Sequence, residues 1–137
     1  MNRTGNERTG NRLLTIPVKG GAELKEATMA AIGADGYAVP ASASTGLLIA
    51  GCVQEYTDNR NGGDGEQTVR VKRGTFVWGN DGTIKKTDIL KPCYMKDSVT
   101  VSLTAENSSF AGIILAVEND GVTVDMMTQY KESIQEK

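Results

Sequence analysis

Two cysteines and no histidine set the limits of the chemistry open to this chain. Cys52 and Cys93 both lie in apolar, strand-like runs, so they read as buried free thiols, with a disulfide as the alternative. Without histidine the chain lacks the usual general base near neutral pH and the commonest metal ligand. Ser-His-Asp and Cys-His nucleophiles and His-containing zinc sites are thereby excluded. Asp and Glu are scattered, and no spacing nominates a pair for acid–base work. A phosphate loop, a nucleophile elbow and a dinucleotide fingerprint are all absent.

Two other groupings invite a chemical reading. The loop from Asp58 to Glu66 is rich in Gly, Asn and Asp, as calcium loops are. It fails the EF-hand spacing, and its partial match to a calcium-binding nonapeptide occurs once, whereas that motif works in stacked arrays. Arg70, Lys72 and Arg73 stand close to Phe76 and Trp78, the ingredients of a stacking platform for single-stranded nucleic acid on a small barrel. The competing reading is a solvated strand face beside core aromatics. The chain is expected to be no enzyme and to hold no metal and no cofactor.

The elements that must position these residues are strands. Asp-Gly stands between short β-prone runs three times, at Ala34-Asp35-Gly36, Asn80-Asp81-Gly82 and Asn119-Asp120-Gly121, and each is predicted to turn a hairpin. Gln67 to Lys72 alternates, which points Val69 and Val71 inward. Val69, Val71, Trp78, Ile114 and Val124 are expected to share one core. Leu47 to Tyr56 reads as a buried strand, and the polar loop after it as the tip of a wide hairpin. Residues 22–31 contain good helix formers, but the Asp35-Gly36 turn favours a turn at Lys25-Glu26 and a strand over Thr28–Ile32, with a short helix as the alternative. Thr87 is placed to cap one helical turn that Pro92 stops, and Cys93–Met95 and Val99–Val101 form a further hairpin. The apolar run Leu48–Val53 is echoed by Ala111–Val117, as if two similar hairpins closed one barrel. The fold class is all-β: a small antiparallel β-barrel-like domain built from hairpins.

Composition agrees. The length of 137 residues suits one domain, and 16 glycines suit a turn-rich one. A net charge of −2 gives no basic electrostatic footprint for nucleic acid, and no apolar stretch reaches the length of a membrane helix. No secretory signal opens the chain, so a soluble protein made in a cytoplasm is expected. Three parts are predicted: a flexible N-terminal arm over 1–12, a single β domain over 13–127, and a polar C-terminal tail over 128–137. The arm repeats Arg3-Thr4-Gly5-Asn6 as Arg8-Thr9-Gly10-Asn11 and is locally basic. Pro17, which has no N–H for a ladder, puts the extended segment Leu13–Val18 on a sheet edge or in an added strand.

The order of segments resembles one family. Ile16-Pro17-Val18-Lys19-Gly20-Gly21 is followed by Met29 through Ala41 with its Asp35-Gly36 turn, then Ala50-Gly51-Cys52-Val53 and the Gly/Asp/Asn loop. Thr68 through Phe76, Thr87 through Met95, and Ala111-Gly112-Ile113 through Val124 complete the series. Over residues 13–126 this is similar to the tailed-phage capsid decoration, or cement, proteins of phages and prophages. The resemblance implies a structural protein on the outer capsid surface of the virion, made in the bacterial host cytoplasm, binding the major capsid protein and stabilising the head. It also implies a homo-oligomer, often a trimer, with no membrane or nucleic-acid partner. The docking arm would then comprise Arg3, Arg8 and Arg12 as cations and Leu13, Leu14 and Ile16 as apolar anchors.

Overall fold

The computed structural model describes residues 12–127. The described residues make twelve strands: β1 Leu13–Pro17, β2 Glu23–Leu24, β3 Met29–Ile32, β4 Ala38–Pro40, β5 Leu48–Val53, β6 Thr57–Asp58, β7 Thr68–Lys72, β8 Thr75–Asn80, β9 Pro92–Met95, β10 Thr100–Ser102, β11 Phe110–Glu118 and β12 Gly121–Asp125. One 3-10 turn, Lys86–Asp88, joins β8 to β9.

These strands form two lobes. The first is a five-stranded antiparallel sheet in the order β1-β7-β5-β3-β4. A bridge between Val18 and Ala38 draws its two edge strands together at one end. The small ribbon β2-β6 lies beside it. The second lobe is a closed five-stranded barrel, β10-β8-β12-β11-β9, antiparallel except where β10 meets β8.

Burial explains the sequence patterns. One core gathers Ile16, Val18, Leu24, Ala30, Ala38, Ala50, Val53, Val69 and Val71 inside the first lobe. The other fills the barrel with Trp78, Cys93, Met95, Ile114, Val122, Val124 and Met126, and also takes Met29, Ala31, Ile49 and Cys52 from the far face of β3 and β5. Strands covered on both faces read as continuous apolar runs, and strands covered on one face alternate. β5 and β7 are those two cases side by side. The five residues expected to share one core are all buried, but they divide: Val69 and Val71 belong to the first lobe, and Trp78, Ile114 and Val124 to the barrel. The break at Arg73-Gly74, between β7 and β8, carries the chain from one lobe to the other.

Two of the three Asp-Gly turns make hairpins. Gly36 takes φ 88 between β3 and β4, where the Gly33 N–H donates to the Tyr37 carbonyl at 3.1 Å. Asn119-Asp120 is the two-residue loop between β11 and β12. Asn80-Asp81-Gly82 turns the chain without pairing its flanks. The Asn80 and Asp81 side chains accept the Gly82 and Thr83 N–H groups, and β8 pairs with β10 and β12 instead. Residues 22–31 hold β2, a turn and β3 with no helix, and Ala27 absorbs the turn at φ 66. The N-cap of the 3-10 turn is Lys85 rather than Thr87, and the Asp88 carboxylate accepts the Lys85 N–H at 2.7 Å. The echo between Leu48–Val53 and Ala111–Val117 joins two separate sheets, not one barrel. Gly51 sits at a bulge where β3 shifts register, with φ 144, and a Cβ there would run into the Lys72 carbonyl oxygen. The position therefore requires glycine both for its backbone angle and for space.

The lobes are fastened by polar contacts as well as by the shared sheet. The Met29 N–H donates to the Ser98 carbonyl at 2.7 Å. Ser109 Oγ donates to the Ser44 carbonyl and accepts the Leu47 N–H. Arg73 Nη2 donates to the Met126 carbonyl at 2.9 Å, and its Nη1 faces the Ile49 and Ala50 carbonyls of β5.

Candidate docking surface

β1 is one of the two edge strands of the first lobe's sheet, and it offers backbone outward. Its register on β7 runs from Leu13↔Lys72 to Pro17↔Thr68. The Val18 N–H donates to the Gln67 carbonyl and the Arg73 N–H to the Arg12 carbonyl, so even-numbered residues bond to β7. Antiparallel alternation then turns the N–H and C=O of Leu13 and Thr15 away from β7. The Lys19 N–H follows the same parity and reaches the Ala38 carbonyl of β4 at 3.0 Å. Pro17 falls on the outward parity, so its missing N–H leaves the ladder intact. Leu13 and Thr15 thus present two donors and two acceptors along an open edge.

The side chains sort by the same alternation. Ile16 is buried in the first core, and Leu14 packs against that core. Ile16 is therefore a fold residue and is not free to anchor a partner. Leu13 is 40% exposed. Beside it on the outer face stand Arg70 and Lys72, exposed, and with the exposed Arg12 they make no ion pair among the described residues. Arg3 and Arg8 lie outside the described residues. The surface is an extended backbone edge bordered by cations, suited to adding a strand that carries carboxylates.

The other groupings do not assemble into a reactive centre. Trp78 is closed inside the barrel with its Nε1 donating to Met126 Sδ at 3.1 Å, and Arg73 is committed to backbone carbonyls. The basic residues therefore have no open Trp78 ring face beside them. The loop after β6 is organised by Asn59, 2% exposed, whose Nδ2 donates to the Val18, Lys19 and Gly63 carbonyls. Asp64 accepts the Gly20 N–H at 2.8 Å, which docks the loop tip on the turn after β1. A shallow polar hollow of about 200 Å³ lies against Asp58, Asn61 and Glu66. Among the described residues no group of three or more Cys, Asp or Glu side chains could hold a metal ion. Cys52 and Cys93 are free and buried. Burial pushes the Cys52 thiol up and the Cys93 thiol up to about 12, so both stay protonated and unreactive near neutral pH.

Sequence reading missed the backbone-positioning roles of Asn59, Arg73 and Asp88, although it had placed Arg73 in the stacking grouping. A polar residue inside a turn-rich loop, or a cation directly before a glycine break, was the available signal. It also passed over Leu90, an exposed leucine in the left-handed region. No described helix is long and apolar enough to cross a membrane. No protein-family model, curated protein or solved structure matches the chain.

Proposed function

We propose that this chain is a phage or prophage structural protein, a capsid decoration protein that binds the outer surface of the head shell and stabilises it. The reading takes its class from the order of segments between residues 13 and 126. The structural observation that carries it is the outward backbone edge of Leu13 and Thr15, bordered by Arg12, Arg70 and Lys72, which make no ion pair among the described residues. Strand addition there would draw main-chain hydrogen bonds from a segment of the major capsid protein, and the cations would meet its carboxylates. The arm over 1–12 leads directly into this edge. A homo-oligomer would repeat the contact across the lattice, so that many weak attachments hold together.

Co-sedimentation with empty heads tests the reading, using the full chain, a chain lacking residues 2–12, and Thr15→Pro. The proline removes an outward N–H and no internal bond, so it blocks strand addition while the fold persists. Both altered chains are expected to melt close to the parent and to bind heads more weakly. Unchanged affinity and salt dependence in both would overturn the docking role.

A further inference from the structure

The residues after the 3-10 turn carry features that the fold itself does not use. Leu90 adopts φ 74, a conformation strained for any side chain with a Cβ. It is also 70% exposed, the most exposed large apolar side chain among the described residues. Ile89 beside it is 46% exposed. The Leu90 N–H donates to the Ile114 carbonyl at 2.7 Å, and the bulge that follows Ile114 on β11 leaves Leu115 exposed as well. Lys85 and Lys86 border this knob without an ion pair among the described residues, while Lys91 reaches Asp88 at 3.1 Å.

The first lobe carries the complement. Tyr56, 52% exposed, stands at the β2-β6 ribbon with its hydroxyl donating to Glu23 Oε2 at 2.7 Å. Around it, segments 23–28 and 54–60 hold Glu23, Glu26, Glu55 and Asp58 against only Lys25 and Arg60. One surface is thus apolar with a cationic border, and the other is aromatic with an excess of carboxylates.

We propose that these two surfaces bind each other between copies of this chain, head to tail, with the Leu90 knob of one copy on the Tyr56 face of the next. Knob on knob would oppose lysine to lysine, so charge selects the heterologous contact, which either closes into a ring or runs on as a filament. An anionic membrane is the weaker occupant, because membrane-binding clusters carry several free cations and this knob has two (Lys85 and Lys86). The proposal deepens the oligomer half of the function above and stands whether or not the shell half does.

Sedimentation of the full chain over a range of concentrations tests it. The parent is expected to associate, less so at high salt. Leu90→Gly and Tyr56→Ala are each expected to sediment as monomers while keeping the parent's far-ultraviolet spectrum. Leu90→Gly should melt no lower than the parent, since glycine accepts the backbone angle. An equimolar mixture of the two variants should form a heterodimer that neither forms alone, because each keeps one intact surface. A parent that stays monomeric up to about 1 mM, an oligomer that survives in either variant, or a mixture that stays monomeric would overturn the proposal. A monomeric parent whose binding to empty heads, or to phosphatidylserine vesicles, is lost in Leu90→Gly would assign the knob to that partner instead.

Discussion

The sheet β1-β7-β5-β3-β4 ends in two strand edges, whereas the barrel β10-β8-β12-β11-β9 has none. The bridge at Val18 and Ala38 closes the first lobe at one point only, and β1 stays open over Leu13–Thr15. In the barrel every strand has two neighbours, so its outside can be addressed only through side chains such as Leu90. The first lobe can be addressed through its backbone. Open edges invite unwanted pairing, and Pro17 together with flanking charge is how natural sheets restrain it. One chain thereby keeps two kinds of surface apart: an open backbone edge on one lobe and an exposed apolar knob on the other.

The sharpest way to break this division is to ask whether the lobes are one folding unit. β3 and β5 give one face to each core, so the two cores share a wall. Ile114→Ala in the barrel is expected to cost about 4 kcal/mol and Val71→Ala in the first lobe about 2 kcal/mol. Because the wall is common, both should lower the midpoint of one cooperative denaturant transition, read by Trp78 fluorescence and by far-ultraviolet signal alike. Two separated transitions, with Ile114→Ala moving only one, would make the lobes independent.

A smaller effect sharpens the seam. Arg73 ties Met126 at the end of β12 to the first lobe, and its loss removes a charge-assisted bond worth about 2 kcal/mol. Cys52 lies at the seam on β5, and Cys93 lies inside the barrel on β9. Arg73→Ala is therefore expected to speed the reaction of Cys52 with a thiol reagent and leave Cys93 slow. Equal acceleration of both would mean that Arg73 supports the whole fold rather than the seam.

How far the sequence carried follows from the same division. Alternation at Thr68–Lys72 identified β7 and its inward valines, because one face of that strand is wet. The continuous run of β5 was legible as buried, but not which core each residue enters, since burial on two faces erases the period. The Asp-Gly signal located all three turns and the hairpins at Gly36 and Gly121, yet failed at Asp81-Gly82, where long-range pairing of β8 with β10 and β12 overrode it. At the candidate docking surface Pro17 narrowed β1 to an edge or an added strand, and it is an edge strand of the first lobe. The burial of Ile16 was not, because a five-residue strand can present either face until its partner fixes the register. The Leu90 knob left no periodic trace: its backbone is held by the Ile114 carbonyl, in a strand more than twenty residues later in the chain.

The smallest expected effect separates two carboxylates, one on each lobe. The Arg60 guanidinium and backbone N–H hold the Asp58 carboxyl down at about 2, against an ordinary value of 3.8. Asp88 is also lowered, first by the Lys85 backbone N–H and then by Lys91. A carboxyl with a depressed folded pKa binds fewer protons folded than unfolded, so it stabilises the fold above the unfolded value. That stability is lost as pH falls through the folded value. For Asp58 the window runs from about 4 down to about 2. Its cause is mainly a side chain, so Arg60→Ala should melt slightly below the parent at neutral pH, and the gap should close across that window. Solvent exposure keeps the gap small. The first cause at Asp88 is backbone, so Lys91→Ala should leave most of that group's acid sensitivity in place. Thermal melts of the parent and both variants across acid pH check this. A gap for Arg60→Ala that stays constant down to about pH 2 would mean that Arg60 acts through packing and not through the charge of Asp58.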